Sequence, residues 1–227
     1  MPFTLVIANR NYSSWSMRPW VLLRQFGIPF DEVLLKFHSP EWAANIDRLS
    51  PSHLVPVLWD GAAGEPASTC IWDSLAIAEY VAEAFPALPI WPADRRARAR
   101  ARALSAEMHS GFRGLRGAMP MNIRNQFAGK GYTPEAARDI ARIEQVWREA
   151  RQQFAGDGPY LFGGFSAADA MFAPVVMRFN SYQPPLADDT LAYCARISST
   201  DSVAAWSAAA RLETEFVAED EPYATAP

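Results

Sequence analysis

The chain changes texture once, sharply, at "PALPIWPAD" (residues 86 to 94), which holds three prolines in nine residues. Proline has no backbone N–H and a fixed φ, so such a run continues neither a helix nor a central strand and reads as a linker or rigid crossing. Before it, apolar runs and helical patterns alternate. "FTLVIA" (3–8), "FDEVLLKF" (30–37), "VPVLWD" (55–60) and "STCIW" (68–72) read as strands. Helices are expected near 17–26, where Gly27 and Pro29 supply the stop, near 40–49, and over 74–85. Beyond the prolines the pattern is helical throughout, over roughly 93–116, 134–154, 167–180, 186–197 and 201–212, with "EDEPYATAP" expected to fray. The division predicts a mixed α/β domain over 1–86 and an all-α domain over 93–221.

Composition narrows the function classes. Half of the 227 residues are hydrophobic, enough for a sizeable core. No run of eighteen apolar residues suggests a membrane span, and the N-terminus does not read as a secretory signal. Cys70 and Cys194 are far apart without a CxxC, which disfavours a disulfide scaffold or a zinc site and favours a cytoplasmic setting. A net charge of −4 argues against a nucleic-acid binder, although "DRRARARARAL" is locally basic. That run reads as the solvated face of an alanine-rich helix.

Two turns carry candidate chemistry. In "NYSSWSMRPW" (11–20), Ser16 is expected to cap a helix beginning near residue 17, which would keep Pro19 within the first turn. Ser13 and Ser14 then fall in the preceding turn, beside N–H groups that favour an anion. No Ser-His-Asp arrangement is apparent, so a serine here reads as a cap, or as a hydrogen-bond donor to an already acidic nucleophile. In "CIWDSLAIAEY", Asp73 is a natural N-cap and Ser74 opens the first turn. The pair can equally meet a ligand, the carboxylate facing a cation, and the hydroxyl and N–H groups facing an anion. Pro56 opens a strand, where a trans bond is the ordinary reading.

Taken together, "NYSSWSMRPWVLL", "HLVPVLWD", "CIWDSLAIAEYVAEAF" and "YLFGGFSAADAMFAPVV" resemble the glutathione S-transferase superfamily over about residues 3–215. The closest likeness is to bacterial members with a serine in the first turn, related to zeta and tau-like classes. The resemblance implies a thioredoxin-like N-terminal domain (βαβ-α-ββα) that binds glutathione, an all-helical second-substrate domain, a homodimer, a small electrophilic substrate and no metal. It implies that Ser13 stabilises the glutathione thiolate, with Ser14 as its competitor. Val55, ahead of a cis Pro56, would pair with the cysteinyl backbone, and Asp73 and Ser74 would hold the γ-glutamyl end. Ser166 and Asp169 match the family's capping box and are assigned to stability. Where the family often has lysine or glutamine before Val-Pro, this chain has Leu54, so His53 or His38 is the candidate for the glycyl carboxylate. Met108, Phe112, Met119 and Met121 are candidates for an apolar pocket, and Arg113, Arg116 or Arg124 for contact with an acidic substrate. Conjugation of glutathione to an electrophile is the leading activity implied. Zeta-like isomerisation, a glutathione-dependent reductase or peroxidase, and a non-catalytic binding module are the alternatives.

Overall fold

A computed structural model of the chain describes residues 3–224. Its first part is β1 (Phe3–Ile7), α1 (Ser14–Gln25), β2 (Phe30–Leu34), α2 (Pro40–Leu49), β3 (Val57–Asp60), β4 (Thr69–Ile71) and α3 (Ser74–Ala84). The sheet order is β2-β1-β3-β4, with β1 parallel to β2 and the other pairs antiparallel. Side chains alternate across a strand, and β1 is buried on both faces. Leu5 and Ile7 face the main core under α1 and α3. Val6 joins Val57, Trp59, Ile46 and Leu49 in a second core under α2. This is the thioredoxin-like arrangement expected, and an all-α part follows it.

That part comprises α4 (Arg95–Ser110), α5 (Arg113–Ala118), α6 (Pro134–Phe154), α7 (Ala167–Tyr182), α8 (Asp188–Ser198) and α9 (Asp201–Arg211). α7 is buried along nearly its whole length and is the axis of the helical core. The proline-rich segment is a rigid crossing. Ile90 and Trp91 are buried, and the Ile90 carbonyl accepts the Ala167 N–H at 2.8 Å at the start of α7. Of the arginine run on α4, Arg95, Arg96 and Arg100 are exposed, as a solvated face requires, while Arg102 forms a bidentate pair with Glu79 of α3, at 2.8 and 2.7 Å.

Three expectations need correction. The single helix over 93–116 is two helices, because Gly111 and Phe112 turn the chain. A Cβ at Gly111 would lie 2.7 Å from the Glu107 carbonyl oxygen, and Phe112 adopts left-handed φ 55°. α1 begins at Ser14, capped by Ser13 rather than Ser16, so Pro19 lies inside the helix. Ser16 cannot serve as the cap because its hydroxyl is committed to the Ala8 N–H at 3.1 Å. The chain from 219 to 224 is docked instead of frayed: Glu221 is buried and accepts from the Tyr12 hydroxyl at 2.6 Å. Residues 225–227 of that expectation lie outside the described residues.

The capping box at the head of α7 forms. The buried Asp169 carboxylate accepts from the Ser166 N–H (2.9 Å), the Ser166 hydroxyl (3.0 Å), the Leu161 N–H (3.1 Å) and the Tyr193 hydroxyl (2.9 Å). Burial outweighs these donors and pushes its pKa up to about 6. Between the unfolded carboxyl's value of about 3.9 and the native value, the native state holds a proton that the unfolded chain gives up. Stability contributed by Asp169 is therefore full below pH 4 and is lost as pH rises toward 6. Asp169→Ala strands four buried donors and is expected to lower stability by about 3 kcal/mol or more. It should also remove that part of the pH slope. Denaturant unfolding at a series of pH values reads both.

Candidate functional site

The turn before α1 is closed by the Asn9 carbonyl, which accepts the Ser13 N–H at 2.8 Å. Ser13 Oγ accepts the Ser16 N–H at 3.4 Å and lies 2.7 Å from Ser16 Oγ. Either hydroxyl can donate in that pair, and the Ser16 oxygen also accepts the Ala8 N–H. With Ser16 as the donor, the Ser13 hydrogen can point into the cavity at the positive end of α1. Ser14 Oγ instead accepts from Arg178 Nη2, at 3.3 Å.

Two adjoining cavities open beside this turn. One, of about 410 Å³, is lined by Ser13, Ser14, Trp42, Met121, Arg116 and Arg178 among others. The second, of about 280 Å³, is lined by Pro56, Trp72, Asp73, Ser74 and His109. Trp15, Leu54 and Val55 line both and join them. Val55 precedes a cis Pro56, and its N–H and C=O have no hydrogen-bond partner among the described residues. Asp73 caps α3 through the Leu75 N–H (3.2 Å), and its other oxygen lies 2.8 Å from His109 Nε2 of α4. The peptide between Trp72 and Asp73 is also cis. The buried Ser74 hydroxyl has no partner among the described residues.

Two guanidinium groups stack on Trp15, and a third lines the same cavity. Those of Arg18 and Arg116 lie over its ring at 4.1 and 4.5 Å, while Arg178 approaches through Ser14. Burial, followed by the neighbouring arginines, holds Arg18 well below its ordinary pKa and brings Arg178 down to about 10. Arg116 is lowered by burial and by Arg113. Tyr12 also lines the larger cavity, but burial and its bond to Glu221 push the phenol up to about 12, so it stays protonated and committed to that carboxylate. The Asp220 carboxyl on the final turn faces the same cavity, and burial raises it to about 6.

Of the residues singled out in the sequence, Ser13, Ser14, Val55, Pro56, Asp73 and Ser74 all line this pair of cavities. His53 lines neither: it is exposed, with left-handed φ 56°, and its Nδ1 pairs with Asp47 at 3.0 Å. His38 pairs with Glu219 at 2.5 Å. Among the apolar candidates Met121 lines the larger cavity, whereas Met108, Phe112 and Met119 are core. Arg124 clamps the C-terminal segment through the Tyr12 hydroxyl and the Glu215 carbonyl. His109 and Arg178 carried no local signal, because each reaches the site through packing between helices distant in sequence. No group of three or more His, Cys, Asp or Glu able to hold a metal occurs among the described residues. No helix there is long and apolar enough to cross a membrane.

Residues 12–84 match the family described as glutathione S-transferase, N-terminal domain, and residues 133–213 match its C-terminal domain. A probable maleylacetoacetate isomerase of Caenorhabditis elegans is 26% identical over 179 residues, covering 76% of this chain and 77% of that one. Among solved structures, a glutathione transferase homolog from Burkholderia gl BGR1 with bound glutathione has a TM-score of 0.66 at 24% identity, covering 93% of this chain and 98% of that one. A diazinon-metabolizing glutathione S-transferase of the silkworm, Bombyx mori, has a TM-score of 0.71 at 15% identity, with the same two coverages. These structural likenesses speak for the fold alone. With both halves of the chain matched in order, and with the sheet and helical core just described, the chain belongs to the glutathione S-transferase superfamily.

Proposed function

We propose that the protein is a glutathione transferase in which the glutathione thiolate, held beside Ser13, attacks an electrophilic carbon in the larger cavity. The observation that carries this reading is the placement of the Ser13 hydroxyl at the start of α1, on the wall of the larger cavity. A free thiol has a pKa near 8.5, so only a small fraction is ionised at neutral pH. A hydroxyl donor and the N–H groups of a helix start both favour the thiolate and draw that value toward neutrality. The Ala8–Ser16–Ser13 chain of hydrogen bonds holds the Ser13 oxygen in place before substrate arrives, so little reorganisation is needed at reaction.

The smaller cavity suits the rest of the tripeptide. Val55 offers an unpaired N–H and C=O to an extended peptide backbone, as an added strand would require. Asp73 offers a carboxylate to the γ-glutamyl ammonium, and its pairing with His109 fixes the carboxylate's orientation. Ser74 and the head of α3 offer donors to the γ-glutamyl carboxylate. In the reaction a sulfur–carbon bond forms, and the electron pair of the broken bond departs with the leaving group. The protein's part is to ionise the sulfur and hold the two reactants in register.

Ser13→Ala is expected to lower kcat/KM for conjugation of chlorodinitrobenzene by about ten- to a hundredfold, the worth of a hydrogen bond to a charged group. It should also move the pH profile toward the free thiol's value. Equal activity in Ser13→Ala, with the loss appearing in Ser14→Ala, would transfer the role to Ser14. Asp73→Ala is expected to weaken glutathione binding about tenfold by calorimetry, and an unchanged Kd would remove Asp73 from the site. Isomerisation of a cis-dienoic acid without net consumption of glutathione would favour an isomerase over a transferase.

A further inference from the structure

We propose that the larger cavity selects an electrophile bearing a carboxylate, with Arg116 and Arg178 as its anion anchor and Asp220 as the residue that sets the strength of that selection. The chemistry rests on the transferase reading, whereas the anion site is built from this chain's own arginines and can be tested without it.

Arg178 is 4% exposed, and its three recorded bonds all go to neutral acceptors: the Met119 carbonyl (2.8 Å), the Pro174 carbonyl (3.1 Å) and Ser14 Oγ (3.3 Å). Arg18 is 1% exposed, bonds only the Met171 and Ser14 carbonyls, and leaves Nη2 without a partner. Arg116 makes no side-chain hydrogen bond or ion pair among the described residues. Arginine–carboxylate pairs abound elsewhere, at Arg102–Glu79, Arg142–Glu107 and Arg148–Asp189. Here three cations gather with no carboxylate of the described residues within ion-pair distance.

Such clustering is costly, since burial and mutual repulsion both disfavour the charged forms. One small anion between Arg116 and Arg178 relieves both at once. Stacking on Trp15 occupies a face of the Arg116 guanidinium and leaves its in-plane N–H donors free for a carboxylate. Arg178 sits one hydrogen bond from Ser14, so the anchored anion lies next to the turn that presents Ser13. Phe37, Trp42, Pro120 and Met121 supply apolar walls, and about 410 Å³ accommodates one small aromatic or unsaturated acid.

Asp220 supplies the opposing charge. It lines the same cavity on the turn Ala218–Asp220, and its field and that of Arg178 act on each other. It lies outside ion-pair distance of either arginine, so it tempers the anchor without filling it. The turn is held in place by Glu221 on Tyr12 and by the Tyr223 hydroxyl on the Ala118 carbonyl at 2.8 Å.

The probes are a chloronitrobenzene with a carboxylate para to chlorine and the matching carboxamide. With either one, the glutathione sulfur bonds to the ring carbon as the carbon–chlorine bond breaks, and chloride leaves with the electron pair. With each rate divided by its uncatalysed rate, the wild type is expected to prefer the carboxylate by about tenfold. Arg116→Gln should abolish that preference by lowering carboxylate turnover more than carboxamide turnover, Arg116→Lys should restore part of it, and Asp220→Asn should increase it. Binding of nitrobenzoate and nitrobenzamide, which lack a leaving group, is titrated in parallel. Nitrobenzoate binding that depends on Arg116, with neither chloride displaced, would leave the anion site standing and sink the transferase reading. Conjugation of both probes with no carboxylate preference would overturn the anion site alone. So would a preference that persists in folded Arg116→Gln and Arg178→Gln proteins.

Discussion

The packing of α1 against α7 is the contact on which both the fold and the site depend, and two buried guanidinium groups reach across it in opposite directions. Arg18 of α1 donates to the Met171 carbonyl of α7, and Arg178 of α7 donates to Ser14 at the head of α1. Each cation is held by carbonyl and hydroxyl dipoles with no carboxylate partner, so removing either acceptor set would leave a buried charge poorly solvated. The alternative of an apolar seam would pack as well, but it would not fix how far α1 slides along α7. The polar crossing ties the first turn of α1 to one position on the helical core, and the serine turn inherits that precision.

The same contact explains why α1 starts where it does. Starting at Ser14 places Pro19 where a helix normally needs an N–H, a cost that a start at residue 17 would avoid. The earlier start is held by Ser13 capping, by Ser16 reaching back to the Ala8 N–H, and by Arg18 Nη1 on the Ser14 carbonyl at 2.7 Å. Two of these bonds need only the local sequence. The arginine bond depends on the guanidinium being clamped from α7, so tertiary packing overrides the local preference.

That distinction runs through what could be read from the residues alone. The strands, the cap at Asp73, the Ser166–Asp169 box and the proline crossing were legible because each is written in a few adjacent positions. Resemblance to a family then picked out Ser13, Val55, Asp73 and Ser74, which converge on one pair of cavities. His109 meets Asp73 across 36 positions, and Arg178 meets Ser14 across 164, so no window of sequence contains either pair. His53 lines neither cavity. Its backbone is left-handed and its ring pairs with Asp47 of α2.

The C-terminal segment shows the same economy with charge. Its carboxylates are spent on the N-terminal domain: Glu213 accepts the Arg10 and Asn11 N–H groups at 2.8 and 3.0 Å, Glu215 pairs with Lys36, and Glu221 takes the Tyr12 hydroxyl. Arg124 donates to the Glu213 and Glu215 carbonyls, so the strap's backbone is held by a cation as well. Asp220 faces the larger cavity with a raised pKa and no side-chain hydrogen bond among the described residues, outside ion-pair distance of Arg178. A carboxylate kept at that distance weakens the positive field without removing it, which leaves the arginines available to an incoming anion.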